Sequence, residues 1–232
     1  MSSVLEQVEW GKPVLSFLHQ IKQIDPKVPA LIHIRHSERD LGKLHTDLTQ
    51  IGLKASVQFG KQLPKNRAYR FYHTPYSRTE KTVKKIIEGL RENQSQTSIQ
   101  KIEISTMRDE EKAFINLRKN WDDRTQIRSW FYKWAAGHYP PWEMNSTLDA
   151  AQQLAGLMVK NLDTASSDVI DIYVTHDTYV AVCIFHWFGL MIDNWINFLD
   201  GYLVQFYSDY MRVFFNEITM DIEYPYWWNF TK

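Results

Sequence analysis

The sequence predicts an α/β fold: one three-layer α/β/α domain over residues 1–232, with a mostly parallel central sheet and a helical, Trp-rich insertion as a cap. Short apolar runs alternate with longer segments of helical periodicity, the order in which parallel strands and crossover helices follow one another. The charged, Trp-rich stretch at about residues 107–147 interrupts this order without a flanking linker. A chain of 232 residues, 44% of them hydrophobic, is long enough for one such domain with an insertion.

Four strands are expected in the alternating part of the chain, because four short apolar, β-branched or aromatic runs are bounded by polar segments or proline. They are predicted at residues 31–36, 70–74, 101–105 and 169–175. Two later runs, 202–207 and 211–216, flank a Ser-Asp-Tyr turn and are predicted to pair as a terminal hairpin. Such a sheet is covered on both faces, and its ligands bind beyond the carboxyl ends of the strands.

The segments between the strands carry apolar residues at the spacing of one helix face. Helices are predicted at residues 3–23, from about residue 49, after residue 75, at residues 148–162 and after residue 175, with a loop at 91–99. The second and third of these have stripes of apolar or small residues every three or four positions: Leu48, Ile51, Ala55 and Phe59, then Thr79, Val83, Ile86, Ile87 and Leu90.

Composition excludes several classes of function. Lys plus Arg (27) equals Asp plus Glu (27), so no overall field attracts nucleic acid or an anionic membrane. Cys183 is the single cysteine, which excludes an intrachain disulfide, and its apolar neighbours favour a packed thiol over a reactive one. The N-terminus lacks a signal-peptide pattern, and no apolar run reaches the length needed to cross a bilayer. A soluble, cytoplasmic protein is expected.

Charged and hydroxyl side chains gather where three of the predicted strands end. The first strand ends in RHSER (35–39), the second in HTPYSR (73–78) and the fourth in THD (175–177). The last two directly precede a predicted helix, whose first N–H groups and dipole favour anions. Because the carboxyl ends of parallel strands meet at one edge of a sheet, these residues are expected to converge.

The converging side chains suit a phosphate group. Arg35, Arg39, Arg78 and His176 would form a compact cationic pocket in a protein without net charge. A phosphate monoester carries about −1.5 to −2 charges near neutral pH and accepts bidentate contacts from guanidinium, whose planar fork fits it better than lysine does. A small phosphorylated molecule is therefore the expected partner, rather than nucleic acid or a membrane.

Four motifs in this order resemble the histidine phosphatase superfamily, which has the phosphoglycerate-mutase-like fold. The family's first strand ends in Arg-His-Gly, here IRHSER, and its next helix carries Leu-Thr-x-x-Gly, here LTQIG (48–52). Its second strand ends in Ser/Thr-Pro-x-x-Arg-x-x-x-Thr, here TPYSRTEKT (74–82), and a late strand ends in a second histidine, here VTHD. The resemblance spans residues 31 to about 190 and mixes features of the mutase and acid-phosphatase branches.

The resemblance implies a role for each matching position. His36 would be the nucleophile that forms a phosphohistidine, and His176 would act with Arg35 and Arg78 to hold the phosphoryl group. Arg39 matches an extra arginine of the acid-phosphatase branch, although pairing with Asp40 or Glu38 is an alternative for it. No cofactor or metal is implied, since phosphoryl transfer needs mainly positioning and positive charge, which these side chains would supply.

Two regions offer a proton donor for the leaving group. Asp177 follows His176 directly and matches the His-Asp pair of the acid-phosphatase branch, so we favour it. Asp109 or Glu110 is the alternative, because this region is where the mutase branch carries its acid, after the third strand. The sequence leaves this choice open.

Three neighbouring positions carry further expectations. Ser37 replaces the family's glycine, and its hydroxyl would either donate to the phosphate or tighten the loop. His33 and His36 are three apart on a strand and point to opposite faces, so His33 is expected to be a packed histidine rather than a metal co-ligand. Glu38 and Asp40 are expected to orient the arginines. His73 either touches the pocket or is structural.

The function predicted from the sequence is a metal-independent phosphatase, a phosphoric monoester hydrolase that works through a phosphohistidine intermediate. A phosphomutase of the same fold and a non-catalytic phospholigand-binding protein are the alternatives. The sequence lacks a P-loop, a dinucleotide fingerprint and a Gly-x-Ser-x-Gly elbow, so it gives no support to the classes those motifs mark.

Overall fold

The computed structural model of the chain describes residues 3–40, 46–65, 67–92, 97–101 and 124–230. The first part of the predicted cap, 107–123, lies outside these residues, as do Asp109 and Glu110. Most of the predicted third strand, 102–105, lies outside them too.

Within the described residues, seven strands form one sheet in the order β3-β2-β4-β1-β5-β6-β7. The strands are β1 Ala30–Arg35, β2 Ala68–His73, β3 Thr97–Lys101, β4 Val169–Thr175, β5 Gly201–Phe206, β6 Tyr210–Phe215 and β7 Ile218–Glu223. Among the described strands, β3, β2, β4 and β1 run parallel, whereas β5, β6 and β7 add antiparallel pairings. The α/β class is confirmed, but the parallel character is confined to one side of a mixed sheet.

The helices lie close to their predicted positions. They are α1 Val4–Gln7, α2 Gly11–Ile21, α3 Gln50–Gln62, α4 Ser77–Arg91, α5 Arg124–Ala135, α6 Thr147–Leu162 and α7 Asp177–Phe188. The single helix predicted at 3–23 is two helices, because the backbone becomes extended at Val8. Among the described residues, no helix has the length and apolar character needed to cross a membrane.

Two apolar clusters cover the two faces of the sheet. Ile32 and Ile34 of β1 point to a cluster that includes residues of α1 to α4. Leu31 points to the opposite cluster, which includes residues of α5, α6 and α7. This alternation along β1 follows from the period of two in a strand, and it gives the three predicted layers.

The described part of the predicted cap packs against the same core as the sheet. The buried side chains Trp130, Phe131 and Trp134 of α5, together with Met144, belong to the cluster on the α6 and α7 face. The Trp134 indole N–H donates to the Asn145 carbonyl at 2.8 Å. The cap tryptophans at these positions are thus core residues that hold α5 against the domain.

Candidate active site

The three polar strand ends converge because β1 and β2 both pair with β4. Arg35 lies opposite Thr175, and His73 lies opposite Val174, in parallel register. The backbone N–H of His36 continues the β1–β4 pairing and donates to the Thr175 carbonyl at 3.0 Å. The carboxyl ends of the three strands therefore lie side by side, as the motif positions predicted.

His36 and His176 face each other across this edge. Their ring centroids are 5.5 Å apart at an interplanar angle of 72°. Both side chains are buried, with 3% of His36 and 9% of His176 exposed. Because each follows the last residue of a neighbouring parallel strand, the sheet itself sets their spacing.

The hydrogen bond that His36 makes selects its tautomer. Nδ1 lies 2.7 Å from the carbonyl oxygen of Ser37, which can only accept, so the proton is on Nδ1 and the lone pair is on Nε2. Burial lowers the pKa of His36 well below its usual value, and His176, Arg35 and Arg78 lower it further, against the opposing effect of the Ser37 carbonyl. These effects favour a neutral imidazole at His36, with the lone pair on Nε2.

Arg35 is buried and held from three directions. Its Nη1 donates to the Ile196 carbonyl at 2.8 Å, and its Nη2 lies 3.3 Å from Oδ2 of Asp177. The guanidinium carbon lies 4.5 Å from the centroid of the Phe198 ring. A guanidinium fixed in this way presents positive charge next to His36 without needing to reorganise.

Arg78 and His176 form the opposite wall. Nη2 of Arg78 lies 3.4 Å from Nδ1 of His176, and the Arg78 guanidinium carbon lies 4.5 Å from the centroid of the Tyr76 ring. Nε2 of His176 lies 3.2 Å from the Thr74 hydroxyl. Tyr76 and His176 are the N-cap residues of α4 and α7, so both helices begin at this wall.

Burial and nearby positive charge both favour the neutral form of His176. Burial is the largest cause of its lowered pKa, and Arg78 adds to it, while Asp177 opposes the shift. The charges of Arg35 and Arg39 also lower the pKa of His176. The pocket therefore concentrates positive charge that an anion would compensate.

Arg39 lies in the loop after β1. It is 5% exposed, and its backbone pairs with Leu48 in an isolated antiparallel bridge. Its Nη1 donates to the backbone carbonyl of Asp40 at 3.0 Å and lies 3.4 Å from the Thr46 hydroxyl. The structure thus shows Arg39 bound to the loop, while its charge still acts on His176.

Ser37 tightens the loop after β1. Its hydroxyl donates to the Gly52 carbonyl at 2.8 Å and is fully buried, so it does not face the pocket as a phosphate donor. Its backbone N–H donates to the Thr82 hydroxyl at 3.0 Å, which in turn donates to the Arg78 carbonyl. Of the two uses expected for Ser37, the structure shows the second. Ser37 therefore ties its own carbonyl, which orients His36, to both α3 and α4.

Glu38 does not orient an arginine, contrary to expectation. Its Oε1 accepts from the Trp10 indole at 3.1 Å, and its Oε2 accepts from the Thr49 hydroxyl at 2.5 Å. The Thr49 hydroxyl also caps α3 by accepting from the Gly52 N–H at 2.9 Å. A Cβ at Gly52 would lie 2.3 Å from the Glu38 carbonyl oxygen, so glycine is required for this approach of α3 to the loop.

The other two histidines near the strand ends have structural contacts. Nδ1 of His33 lies 3.1 Å from the Tyr202 hydroxyl, and Nε2 lies 2.6 Å from the Thr175 hydroxyl. Burial lowers the pKa of His33 to about 3. His73 is buried, and its Nδ1 donates to the Thr74 carbonyl at 2.8 Å. Both nitrogens of His33 are engaged within the fold, which agrees with the packed role expected for it.

Asp177 lies beside Arg35 and is held by two further donors. Its Oδ2 accepts from the Trp195 indole at 2.9 Å, and its Oδ1 accepts from the backbone N–H of Thr178 at 3.1 Å. The side chain is 15% exposed. The structure thus places one of the candidate acids beside Arg35 at the edge where the strand ends meet, and Asp109 and Glu110 lie outside the described residues.

Comparison with known proteins identifies the family. A model described as the histidine phosphatase superfamily (branch 1) matches residues 31–202, which contain all three strand ends. The chain belongs to the histidine phosphatase superfamily. Within it, the His-Asp pair at 176–177 is the feature of the acid-phosphatase branch noted above, so the chain combines features of both branches. A comparison with curated proteins found no significant match.

Solved structures with a similar fold include phosphatases and a mutase. A mycobacterial glucosyl-3-phosphoglycerate phosphatase is 13% identical over 79% of this chain and 90% of its own, with a TM-score of 0.48. A phosphoserine phosphatase from Entamoeba histolytica is 17% identical over 78% and 91%, with a TM-score of 0.46. A phosphoglycerate mutase from Bacillus anthracis is 12% identical over 86% and 93%, with a TM-score of 0.43. At these identities the likeness is one of fold alone.

Proposed function

We propose that this histidine phosphatase superfamily member is a metal-independent phosphatase that hydrolyses a small phosphomonoester through a phosphohistidine at His36. One observation carries the proposal: a neutral His36, with Nδ1 bonded to the Ser37 carbonyl and a lone pair on Nε2, is buried among cationic side chains. An electron pair available next to concentrated positive charge is what attack on an anionic phosphoryl group requires.

In the first step, Nε2 of His36 attacks phosphorus in line with the ester oxygen. The N–P bond forms as the P–O bond to the leaving group breaks, and the leaving oxygen takes a proton from Asp177. Arg35, Arg78 and His176 surround the equatorial oxygens, so that the positive charge of the two arginines stabilises the transferring group in place of a metal ion. The alcohol leaves, and the enzyme carries a phosphoryl group on His36.

In the second step, water attacks the phosphohistidine. The Asp177 carboxylate accepts a proton from the water as the new P–O bond forms and the N–P bond breaks. His36 recovers its Nε2 lone pair, inorganic phosphate departs, and Asp177 is again protonated. The Ser37 carbonyl stays bonded to Nδ1 throughout, which keeps the ring in the attacking orientation.

A turnover assay across a panel of phosphomonoesters tests this function. Sugar, nucleotide and inositol phosphates, an aryl phosphate and a phosphohistidine peptide would be incubated with the protein, with and without EDTA. We expect at least one class to release inorganic phosphate at a rate that EDTA leaves unchanged. Loss of activity with EDTA would contradict the metal-independent mechanism.

The same assay separates the alternatives. A phosphomutase would move the phosphoryl group within a substrate and release little inorganic phosphate. A non-catalytic binding protein would bind inorganic phosphate, as measured by calorimetry, without turning over any member of the panel. Either pattern would overturn the proposed hydrolysis.

A further inference from the structure

The irregular segment between α7 and β5 forms one wall of the site and makes three contacts with two of its groups. The Trp195 indole donates to Oδ2 of Asp177 at 2.9 Å, and the Ile196 carbonyl accepts from Nη1 of Arg35 at 2.8 Å. The Phe198 ring lies 4.5 Å from the Arg35 guanidinium carbon. Residues so close in sequence thus fix both the candidate acid and a phosphate-binding arginine.

We propose that Trp195 is a positioning residue for Asp177, one that sets where this carboxyl group carries its proton. The inference rests on the proposed function, because it assigns to Asp177 the donation of a proton to the leaving oxygen. Oδ2 accepts from the Trp195 indole and lies 3.3 Å from Nη2 of Arg35. Because the Trp195 N–H and the positive charge of Arg35 both face Oδ2, they disfavour a proton there and direct it to Oδ1, which accepts from the neutral backbone N–H of Thr178.

Trp195 is itself held by the cap. It is 5% exposed, and its ring packs against Phe131 of α5 with centroids 5.7 Å apart. The next residue of α5, Tyr132, accepts from the backbone N–H of Ile192 through its hydroxyl at 2.7 Å. The cap helix thereby supports the segment that orients Asp177. This arrangement gives the cap a part in the chemistry in addition to its part in the core.

Substitution by phenylalanine separates the hydrogen-bond donor of Trp195 from its aromatic packing. Trp195→Phe removes the N–H donor and keeps an aromatic ring against Phe131. If Trp195 acts through Asp177, the loss of activity in Trp195→Phe must depend on how strongly the leaving group needs a proton. p-Nitrophenolate departs without protonation near neutral pH, whereas phenolate, which has the same ring, is a poorer leaving group.

The experiment compares kcat/KM for p-nitrophenyl phosphate and phenyl phosphate, since kcat/KM includes the step in which the leaving group departs. Asp177→Asn is expected to lower the value for phenyl phosphate by about 10²- to 10⁴-fold, and by less for p-nitrophenyl phosphate. The quantity to compare is the ratio of kcat/KM for phenyl phosphate to kcat/KM for p-nitrophenyl phosphate. Trp195→Phe is expected to lower this ratio by roughly tenfold or more, because the rate falls steeply when a catalytic group is misplaced. In the double variant, Trp195→Phe should add nothing to the effect of Asp177→Asn on the ratio.

Trp187→Phe is the matched control, because the Trp187 indole is also buried but donates to the Ala151 carbonyl at 3.0 Å. It should leave the ratio as in wild type. An unchanged ratio in Trp195→Phe, or a further shift in the double variant, would overturn the inference. An unchanged ratio in Asp177→Asn would also overturn it while leaving phosphatase action through His36 intact. Failure of the proposed function is distinguishable, since a His36→Ala variant would then turn over both substrates as wild type does.

Discussion

A His36→Ala variant is expected to lose phosphatase activity by roughly 10³-fold or more, the scale seen when an enzyme loses its nucleophile. The Nε2 lone pair disappears with the ring, and His176 is not placed to substitute for it. Nδ1 of His176 lies 3.4 Å from Arg78, and its Nε2 lies 3.2 Å from the Thr74 hydroxyl. Steady-state release of phosphate from an aryl phosphate measures the effect.

His186→Ala is the control for this variant. His186 lies on α7, where its Nε2 is 2.8 Å from the Thr147 hydroxyl, so the same substitution removes a histidine that has a structural contact. It is expected to retain turnover close to wild type. Equal activity in His36→Ala and wild type would show that His36 is not the nucleophile.

An Arg78→Ala variant is expected to lower kcat/KM on the order of 10²-fold, because a charged hydrogen-bond donor to the transferring group is removed. Binding of inorganic phosphate should weaken as well. Arg78 is a cause of the lowered pKa of His176, so its removal should move that pKa upward, towards its usual value. Kinetics, phosphate inhibition and an NMR titration of His176 would report the three effects.

Two further variants test the role of Arg78: one separates the shape of its side chain from its charge, and the other is a control at a different arginine. Arg78→Lys keeps the positive charge but loses the planar fork, so it should fall between wild type and Arg78→Ala. Arg212→Ala removes a more exposed arginine that pairs with Asp221 at 2.8 Å, and it should leave phosphate inhibition unchanged. If Arg78→Ala kept wild-type affinity for inorganic phosphate, this arginine would have no place in the phosphate site.

The positions of the site residues could be predicted because they depend on periodicity and on strand ends. Apolar runs marked β1 and β4, and parallel pairing then placed Arg35 opposite Thr175. The convergence of His36 and His176 follows from that register. The sequence could therefore predict which residues meet at one edge, although it could not assign their hydrogen bonds.

The contacts that orient the site could not be predicted in the same way. Trp195, Ile196 and Phe198 lie in an irregular segment, where no period indicates which side chain faces the site. The Ile196 contact with Arg35 uses a backbone carbonyl, a group that every residue has. The expectation for Glu38 is wrong because closeness in sequence to the arginines does not determine its partners, which are Trp10 and Thr49.

The strands at the two edges of the sheet, β3 and β7, were also hard to predict from the sequence pattern. Residue 101 of the predicted third strand, 101–105, lies in β3, Thr97–Lys101, and the rest of that prediction lies outside the described residues, whereas residues 97–99 of β3 fall in the predicted loop. β3 pairs with β2 alone among the described strands, so it has less need of the apolar run that marks a central strand. β7, Ile218–Glu223, was not predicted, since its side chains are largely exposed and it is held by pairing with β6.

Trapping the phosphoenzyme tests the central claim most directly. Wild type and Asp177→Asn would be mixed with p-nitrophenyl phosphate, quenched within milliseconds to seconds in base, and mapped by mass spectrometry for a phosphorylated peptide. We predict a base-stable, acid-labile phosphoryl group on His36. It should accumulate more in Asp177→Asn, where attack of water lacks its base. A phosphoryl group on His176, or release of phosphate by wild type with no phosphoenzyme in either protein, would contradict the account.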